Sequence, residues 1–338
     1  MKLVIDAYGG DNAPAAVIEG VCRAMREWGD FEVVLTGDEQ GIRSELAKRP
    51  EADMSRITIV HAPEVISCDE SPTIAVKRKK ESSIVKGMNI MAAHEADCFI
   101  SAGSTGAVLT GATLIVRRIP GVKRPALAPV LPTPGKPFLL LDCGANSDCK
   151  PEYLQQFAVM GSAYVEGVMG VKEPKVGLIN NGEEEAKGSE LSKAAHALLK
   201  ETGINFAGNC EAREIFSGNY DVLVTDGFTG NVILKEAEGL ADALFRMLKR
   251  ELRSSFKSKV GAGLAKPAFK RVKKTMDYTE YGGAPLLGIN GGIIKAHGSS
   301  DAKAFVSAIK QARLYVLGGV TEKIARGIEE LAPAESND

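Results

Sequence analysis

The chain has 338 residues, 44% of them hydrophobic and 25% charged, with a formal net charge of −1. That balance describes a globular protein with a large core, and it excludes a disordered or low-complexity chain. No apolar run is long enough to cross a membrane and no charged-then-apolar leader opens the chain, so neither a spanning segment nor a signal peptide is expected.

Met1 to Asp6 reads as the first strand, with Leu3 to Ile5 at its centre, and Asp6-Ala-Tyr-Gly-Gly-Asp11 is its loop. The loop is not G-x-G-x-x-G, so a dinucleotide fingerprint is not supported. Pro14 starts a helix, Phe31 to Leu35 and Ile57 to Val60 are strands, and a helix between them runs to about Lys48. Ser71-Pro72-Thr73 opens a further helix, since Pro suits a first turn. Lys77 to Lys80 is a basic run, read as a solvated face, with Lys77 or Arg78 turned inward to an anion as the alternative. Ser82 to Ala96 is helical, and 98–102 is a strand followed by a helix over 107–116.

Residues 118–137 contain six prolines, which excludes a helix and marks a connection or sub-boundary, with one short strand near Leu127 to Leu131. Strands at 138–142 and 175–179 are each followed by a polar loop and a helix, the helices spanning 151–168 and 190–202. After the strand at 222–224, a long helix runs from Val232 to Phe256, with Leu240, Leu244, Leu248, Leu252 and Phe256 four apart. Val260 to Ala265 interrupts it, and a basic segment follows Pro267. The stretch 236–280 is thus expected to protrude as an amphipathic helical hairpin with a glycine-rich apolar tip. Between Arg246 and Lys274 there are eleven Lys or Arg and one acid, a segment charge of +10. A strand at Gly292 to Lys295 feeds a His-Gly-Ser-Ser loop, helices close the chain, and 332–338 is expected to be disordered. The whole of 1–331 is expected to be one catalytic α/β unit.

Four strands therefore end in loops of Gly, Asn, Ser and Thr. They are Gly103-Ser104-Thr105-Gly106, Gly144-Ala-Asn146, Asn180-Asn-Gly182 running on to Lys187, and Asp226-Gly-Phe-Thr229-Gly230-Asn231. In open parallel sheets ligands bind beyond the carboxyl ends of strands, so four such loops can converge on one site. The collection is rich in donors and poor in cations, which suits phosphate and a developing oxyanion. No Walker loop is present. The six cysteines form no C-x-x-C pair and read as buried reduced thiols of a cytosolic protein, and the four histidines lack metal-ligand spacing. No metal, cofactor or nucleic-acid partner is expected. A second reading takes Ala102-Gly-Ser104-Thr-Gly106 as a degenerate nucleophile elbow, with Ser104, Asp226 and His297 as a hydrolase triad.

Six segments in order carry a family resemblance: Asp6-Ala-Tyr-Gly-Gly-Asp11, Ser101-Ala-Gly-Ser-Thr-Gly-Ala107, Leu141-Asp-Cys-Gly-Ala-Asn146, Gly182-Glu-Glu-Glu-Ala-Lys-Gly188, Asp226-Gly-Phe-Thr-Gly-Asn231, and Gly282-Gly-Ala-Pro-Leu-Leu-Gly288 with Lys295-Ala-His-Gly-Ser-Ser300. Over nearly its whole length the chain resembles the phosphate acyltransferase (PlsX) family of bacterial phospholipid synthesis. Tyr8 stands where that family usually has Met, Ser104 where Asn is usual, and Glu211-Ala-Arg213-Glu214 where Glu-Gly-Arg-Asp is usual.

The resemblance implies a three-layer α/β/α fold with a mostly parallel sheet, like phosphotransacetylases and the isocitrate and isopropylmalate dehydrogenases. It implies a homodimer that transfers a long-chain acyl group from acyl carrier protein to inorganic phosphate. The acyl phosphate would pass to a glycerol-3-phosphate acyltransferase. On this expectation Ser104, Thr105, Gly106 and Asn146 cradle phosphate, Lys187 and Asn231 steady the oxyanion or leaving thiolate, and His297 completes the pocket. Asp6, Gly103, Gly182, Asp226, Thr229 and Gly230 line the substrate site. Leu252, Arg253, Phe256, Lys257, Val260, Leu264, Lys270 and Arg271 on the hairpin would meet the acidic carrier protein, or anionic lipid at the inner face of the cell membrane, placing a cytoplasmic protein peripherally there. A dehydrogenase of the related fold would need a paired-aspartate metal site and a nucleotide pocket, and neither pattern is found. A non-catalytic regulator binding acyl or phosphate ligands is the remaining reading.

Overall fold

The computed structural model describes residues 1–275 and 281–331. Its strands are β1 (Lys2–Asp6), β2 (Glu32–Gly37), β3 (Ile57–His61), β4 (Cys98–Ser101), β5 (Ala126–Leu127), β6 (Val130–Leu131), β7 (Phe138–Leu141), β8 (Val176–Asn180), β9 (Phe206–Glu211), β10 (Val222–Val224), β11 (Ala284–Leu287) and β12 (Gly292–Lys295). They form two sheets, one in the order β3-β2-β1-β4-β12-β11-β5 and one in the order β6-β7-β10-β8-β9. In the first, β1 to β4 and β12 run parallel and β11 is antiparallel to both its neighbours. In the second, β7 to β10 run parallel and only β6 is reversed.

The helices are α1 (Ala15–Glu27), α2 (Glu39–Ala47), α3 (Pro72–Arg78), α4 (Ser83–Ala92), α5 (Thr105–Gly111), α6 (Pro151–Tyr164), α7 (Glu190–Lys200), α8 (Gly227–Glu251), α9 (Phe256–Thr275), α10 (Ala302–Leu317) and α11 (Val320–Glu329). They cover both faces of the first sheet, which explains why its strands read as unbroken apolar runs. Leu3, Ile5, Cys98, Ile100 and Ile294 face one way and pack with Val17, Val21 and Phe305 of α1 and α10. Val4, Phe99 and Ile293, one residue out of phase, face the other way onto Ile84 and Met88 of α4. Phe99 is fully buried, and a Cβ added at Gly87 of α4 would lie 2.3 Å from its ring, so helix and sheet meet without a gap. Truncating Phe99 to Ala should cost roughly 3–5 kcal/mol. The second sheet packs Leu139, Leu141, Val176, Leu178, Val222 and Val224 on α6, α7 and α11, while Leu140, Ile179 and Leu223 face a smaller cluster that includes Ile233 and Leu234 of α8.

The α/β class and the parallel strands agree with expectation, and Pro72 sits in the first turn of α3. The single short strand placed near Leu127 to Leu131 is in fact two. β5 joins the edge of the first sheet and β6 the edge of the second, so the chain crosses between sheets at Ala128-Pro129. β9 and β11 are strands to which the sequence reading assigns no element. Gly208, at φ +89°, interrupts the apolar pattern of β9, and Pro285 masks β11.

The hairpin also differs from its sequence reading. α8 stops at Glu251, and the turn is 252–255, where the Ser254 hydroxyl donates to the Glu251 carbonyl and Ser255 Oγ accepts from Ser258 N–H. Val260 to Ala265 does not interrupt anything: Gly261 and Gly263 lie inside α9, and Pro267 is also in its interior. Two serines that satisfy helix-end groups thus place the turn, and they outweigh the glycines. The far end of the expected hairpin, 276–280, and the tail, 332–338, lie outside the described residues.

Candidate active site

β1, β4 and β12 are neighbours in the first sheet, and their last residues are Asp6, Ser101 and Lys295. Ser101 Oγ donates to Asp6 Oδ2 at 2.7 Å and accepts from Gly103 N–H at 3.0 Å. Tyr8 N–H donates to Asp6 Oδ1 at 3.1 Å. Asp6 is wholly buried, and that desolvation raises its pKa, with the Ser101 and Ser83 hydroxyls opposing the shift. The Asp6 side chain is therefore the internal tie between the loop after β1 and the loop after β4, and ligand contact through it is not what its hydrogen bonds serve. Gly9 has no room for a side chain, since a Cβ there would lie 2.5 Å from Asp6 Oδ2 and 2.7 Å from Gly103 N.

The loop that follows contributes Gly103, Ser104, Thr105 and Gly106. Ser104 caps α5, its Oγ accepting from Ala107 N–H at 3.4 Å, and it is buried, whereas Thr105 is exposed. Gly106 lies against Pro72, so the start of α3 closes one side. On the other side, Gly10 meets the Gly298 carbonyl, and Asp11 N–H donates to that carbonyl at 2.8 Å. This brings the His297 loop beside the first two loops. His297 is exposed, and its Nδ1 bonds Ser299 Oγ at 2.8 Å.

In the second sheet Asp142 follows β7 and plays the part Asp6 plays in the first. Its Oδ1 accepts from Leu127 N–H at 2.8 Å and Ala145 N–H at 3.3 Å, and its Oδ2 accepts from Asn146 N–H at 2.7 Å and Asn146 Nδ2 at 2.9 Å. Burial pushes its carboxyl up to about 6. Asn146 also donates through Nδ2 to the Pro125 carbonyl at 2.7 Å, so its amide N–H groups hold the loop.

The Gly144–Asn146 loop rests on the start of α8. Gly227 N–H donates to the Asn146 carbonyl at 2.8 Å, and a Cβ added at Gly230 would lie 1.9 Å from the Asp142 carbonyl oxygen. Asp226 caps α8, with Oδ1 accepting from Thr229 N–H at 2.9 Å and Oδ2 from Thr229 Oγ1 at 2.8 Å. Asp226, Thr229 and Gly230 are thus occupied in building the helix start. Asn231, the next residue, is exposed and lies against Gly144. Thr105 and Val108 of α5 share one small crevice with Gly144 and Ala145, which is where the loops of the two sheets meet.

Lys187 is exposed on the loop beyond β8, beside Gly182, and its carbonyl accepts from Asn180 Nδ2 at 3.1 Å. β8 adjoins β10, so this loop stands next to the start of α8. The hydrolase triad is not assembled: Asp226 is bonded to Thr229, His297 Nδ1 faces Ser299, and Ser104 Oγ caps its own helix. Cys143 carries no thiolate character either, because burial raises its pKa well above the ordinary thiol range. Among the described residues no cluster of His, Cys, Asp or Glu has metal-binding geometry, and no helix is long and apolar enough to cross a membrane.

Sequence reading passed over three residues: Ser101, Asp142 and Lys295. Each sits at or just past a strand end inside a quoted motif, yet only pairing across strands shows what it touches. On the hairpin, Phe256 and Leu264 are 81% and 82% exposed, and a cleft of about 770 Å³ opens between α8 and α9, lined by Phe245, Leu248, Leu252 and Phe269.

Loops at the carboxyl ends of parallel strands, tied by buried carboxylates and meeting at one crevice, belong to an α/β fold with mostly parallel sheets. Solved structures of similar fold include the EutD phosphotransacetylase from Staphylococcus aureus, with a TM-score of 0.61 and 18% identity over 94% of each chain. A phosphotransacetylase from Streptococcus pyogenes matches with a TM-score of 0.62 and 17% identity over 95% of this chain and 94% of that one. The family described as "Fatty acid synthesis protein" matches residues 1–323. Phosphate acyltransferase from Clostridium novyi is 52% identical over 330 residues, covering 98% of this chain and 99% of the relative. Phosphate acyltransferase from Clostridium acetobutylicum is 50% identical over 331 residues, covering 98% and 100%. The chain belongs to this fatty acid synthesis (PlsX) family of phosphate acyltransferases, a family of transferases.

Proposed function

We propose that this protein transfers a long-chain fatty acyl group from the thioester of acyl carrier protein to inorganic phosphate, releasing acyl phosphate and the carrier thiol. The observation that carries the reading is the meeting of the Thr105 loop and the Gly144–Asn231 surface at one crevice, with exposed polar donors on both sides. Phosphate is already an anionic nucleophile near neutral pH, so it needs positioning more than deprotonation. Thr105 and the backbone N–H groups of Ser104 to Gly106 orient it. Its oxygen attacks the thioester carbonyl, the C–O bond forms, and the tetrahedral intermediate collapses with loss of the thiolate. Asn231 and Lys187 steady the oxyanion and the departing sulfur, and His297 borders the phosphate. No covalent enzyme intermediate is required.

The hairpin serves assembly and docking in this reading. Leu240, Leu244 and Met247 are 62%, 61% and 56% exposed along α8, a larger apolar display than a free helix sustains in water. A second copy covers this part and makes a homodimer. Phe256, Val260 and Leu264, beside Lys257, Lys259 and Lys266, meet an anionic membrane surface or the acidic carrier protein. The acyl phosphate passes to an acyltransferase acting on glycerol 3-phosphate.

The test is phosphate-dependent loss of acyl carrier protein thioester, with acyl phosphate trapped as hydroxamate. Loss that requires phosphate and yields hydroxamate supports the reading. Loss without phosphate would assign a thioesterase, and no loss with any long-chain donor would leave a binding protein.

A further inference from the structure

We propose that Lys295 is the buried cation of this site and that it pairs with a phosphate group, either inorganic phosphate or the phosphodiester of a phosphopantetheine arm. The inference rests on the acyltransferase reading above and adds a buried charge to its exposed, donor-rich loops.

Lys295 ends β12, in register with Ser101 at the end of β4, and Ser101 in turn bonds Asp6 at the end of β1. Asp6, Ser101 and Lys295 therefore form a row across three adjacent strand ends, and Asp6 and Ser101 lie against Gly9 and Gly103. Lys295 is only 8% exposed. An ammonium has three N–H donors, and the acceptor of this one is the carbonyl of its neighbour Ala296. Among the described residues no carboxylate lies within ion-pairing distance of it. Burial is the larger influence on it, and the carboxylate of Asp6, from β1, acts in the opposite sense.

Both members of the row are shifted toward their neutral forms. Burial lowers Lys295 to about 8 and raises Asp6. A close ion pair would do the reverse, so the two groups do not neutralise each other. The Asp6 oxygens are taken by Ser101 and Tyr8, which leaves the ammonium as the group short of partners. A buried cation with unmatched donors is unfavourable until an anion completes it. The exposed side chains on the loops following β4 and β12, Thr105 and His297, are donors of the kind that share such an anion.

The experiment titrates inorganic phosphate calorimetrically into the full chain and into Lys295→Met, both confirmed folded by circular dichroism, at pH 7. Affinity should fall roughly 10- to 100-fold, the usual size of a lost charge-assisted hydrogen bond. In parallel, steady-state assays compare the KM for phosphate with the KM for acyl carrier protein and for an acyl thioester lacking the phosphodiester. A rise confined to the phosphate KM assigns inorganic phosphate. Unchanged phosphate affinity with a raised KM for the carrier donor alone assigns the phosphodiester. Neither change, in a folded variant, overturns the proposal.

Should Lys295→Met not fold, the wild-type chain is titrated with sulfate from pH 7 to 9.5, where sulfate keeps its charge. Affinity should begin to fall above about pH 8 as the lysine loses its proton, and a flat profile overturns the pairing. Wild-type protein that binds phosphate through Lys295 but forms no acyl phosphate would sink the acyltransferase reading and leave the pairing standing.

Discussion

Asp142 Oδ1 accepts the Leu127 N–H at 2.8 Å and Cys143 N–H donates to the Leu127 carbonyl at 2.9 Å, which ties the end of the second sheet's β7 to the edge strand of the first sheet. The same carboxylate holds the Gly144–Asn146 loop through its other oxygen. A carboxylate that helps join the sheets therefore also shapes the loop facing Thr105. The site's geometry and the packing of the two halves are coupled through Asp142.

Asp142 should leave a signature in the pH dependence of stability. Its carboxyl stands at about 6 in the folded chain against an ordinary 3.8. Between those values the folded chain holds a proton that the unfolded chain has released. The contribution of this group to stability therefore falls as pH rises from about 4 to about 6, by on the order of 3 kcal/mol. Asp142→Asn removes that slope, and it also weakens the fold, because the amide sets donors against donors. Urea unfolding at pH 4.5 and pH 7 should show the wild-type advantage over Asp142→Asn shrinking toward pH 7. An advantage that grows instead would refute the assignment.

Gly230→Ala should be destabilising by roughly 3 kcal/mol, the upper range for overpacking. Alanine normally favours a helix over glycine by about 1 kcal/mol, so the sign here is opposite to the propensity rule. The reason is the 1.9 Å approach of an added Cβ to the Asp142 carbonyl oxygen, a backbone atom that cannot swing away. A melting temperature equal to or above wild type would show that the loop and helix can separate freely.

Lys187→Ala and Asn231→Ala should each lower kcat by about 10²- to 10³-fold, the usual range for losing a group that stabilises an oxyanion. Both side chains are exposed, so melting temperatures should stay within about 0.5 kcal/mol equivalent of wild type. Near-normal turnover of Lys187→Ala would remove it from the mechanism.

On the hairpin, replacing Lys257, Lys259 and Lys266 by Gln should weaken flotation with anionic vesicles by about 1 kcal/mol per charge. Phe256→Ser with Leu264→Ser should abolish what remains, since both rings and methyls stand more than 80% exposed. Binding to the vesicles that survives all five changes would exclude this face as the lipid contact. Sedimentation of the same variants separates docking from dimerisation, because Leu240 and Leu244 are left intact.

Much of this molecule was legible in residue order, because buried parallel strands write themselves as short apolar runs and their loops as glycine with small polar residues. β12 falls at Gly292–Lys295 as its pattern predicts, and the Gly103, Gly144, Gly182 and Gly227 loops all lie at the carboxyl ends of strands. Local chemistry also placed the start of α3 at Pro72. What lies beyond the reach of a linear pattern is which strands become neighbours. The split of β5 and β6 between two sheets, the role of Asp142 and the row Asp6-Ser101-Lys295 all depend on atoms far apart in sequence. Asp226, Thr229 and Asn146 looked like ligand contacts because free and committed hydrogen-bonding groups are the same residues on paper. Only tertiary structure decides which of them are already spent on the fold, since a buried polar group must find its partner before a ligand arrives.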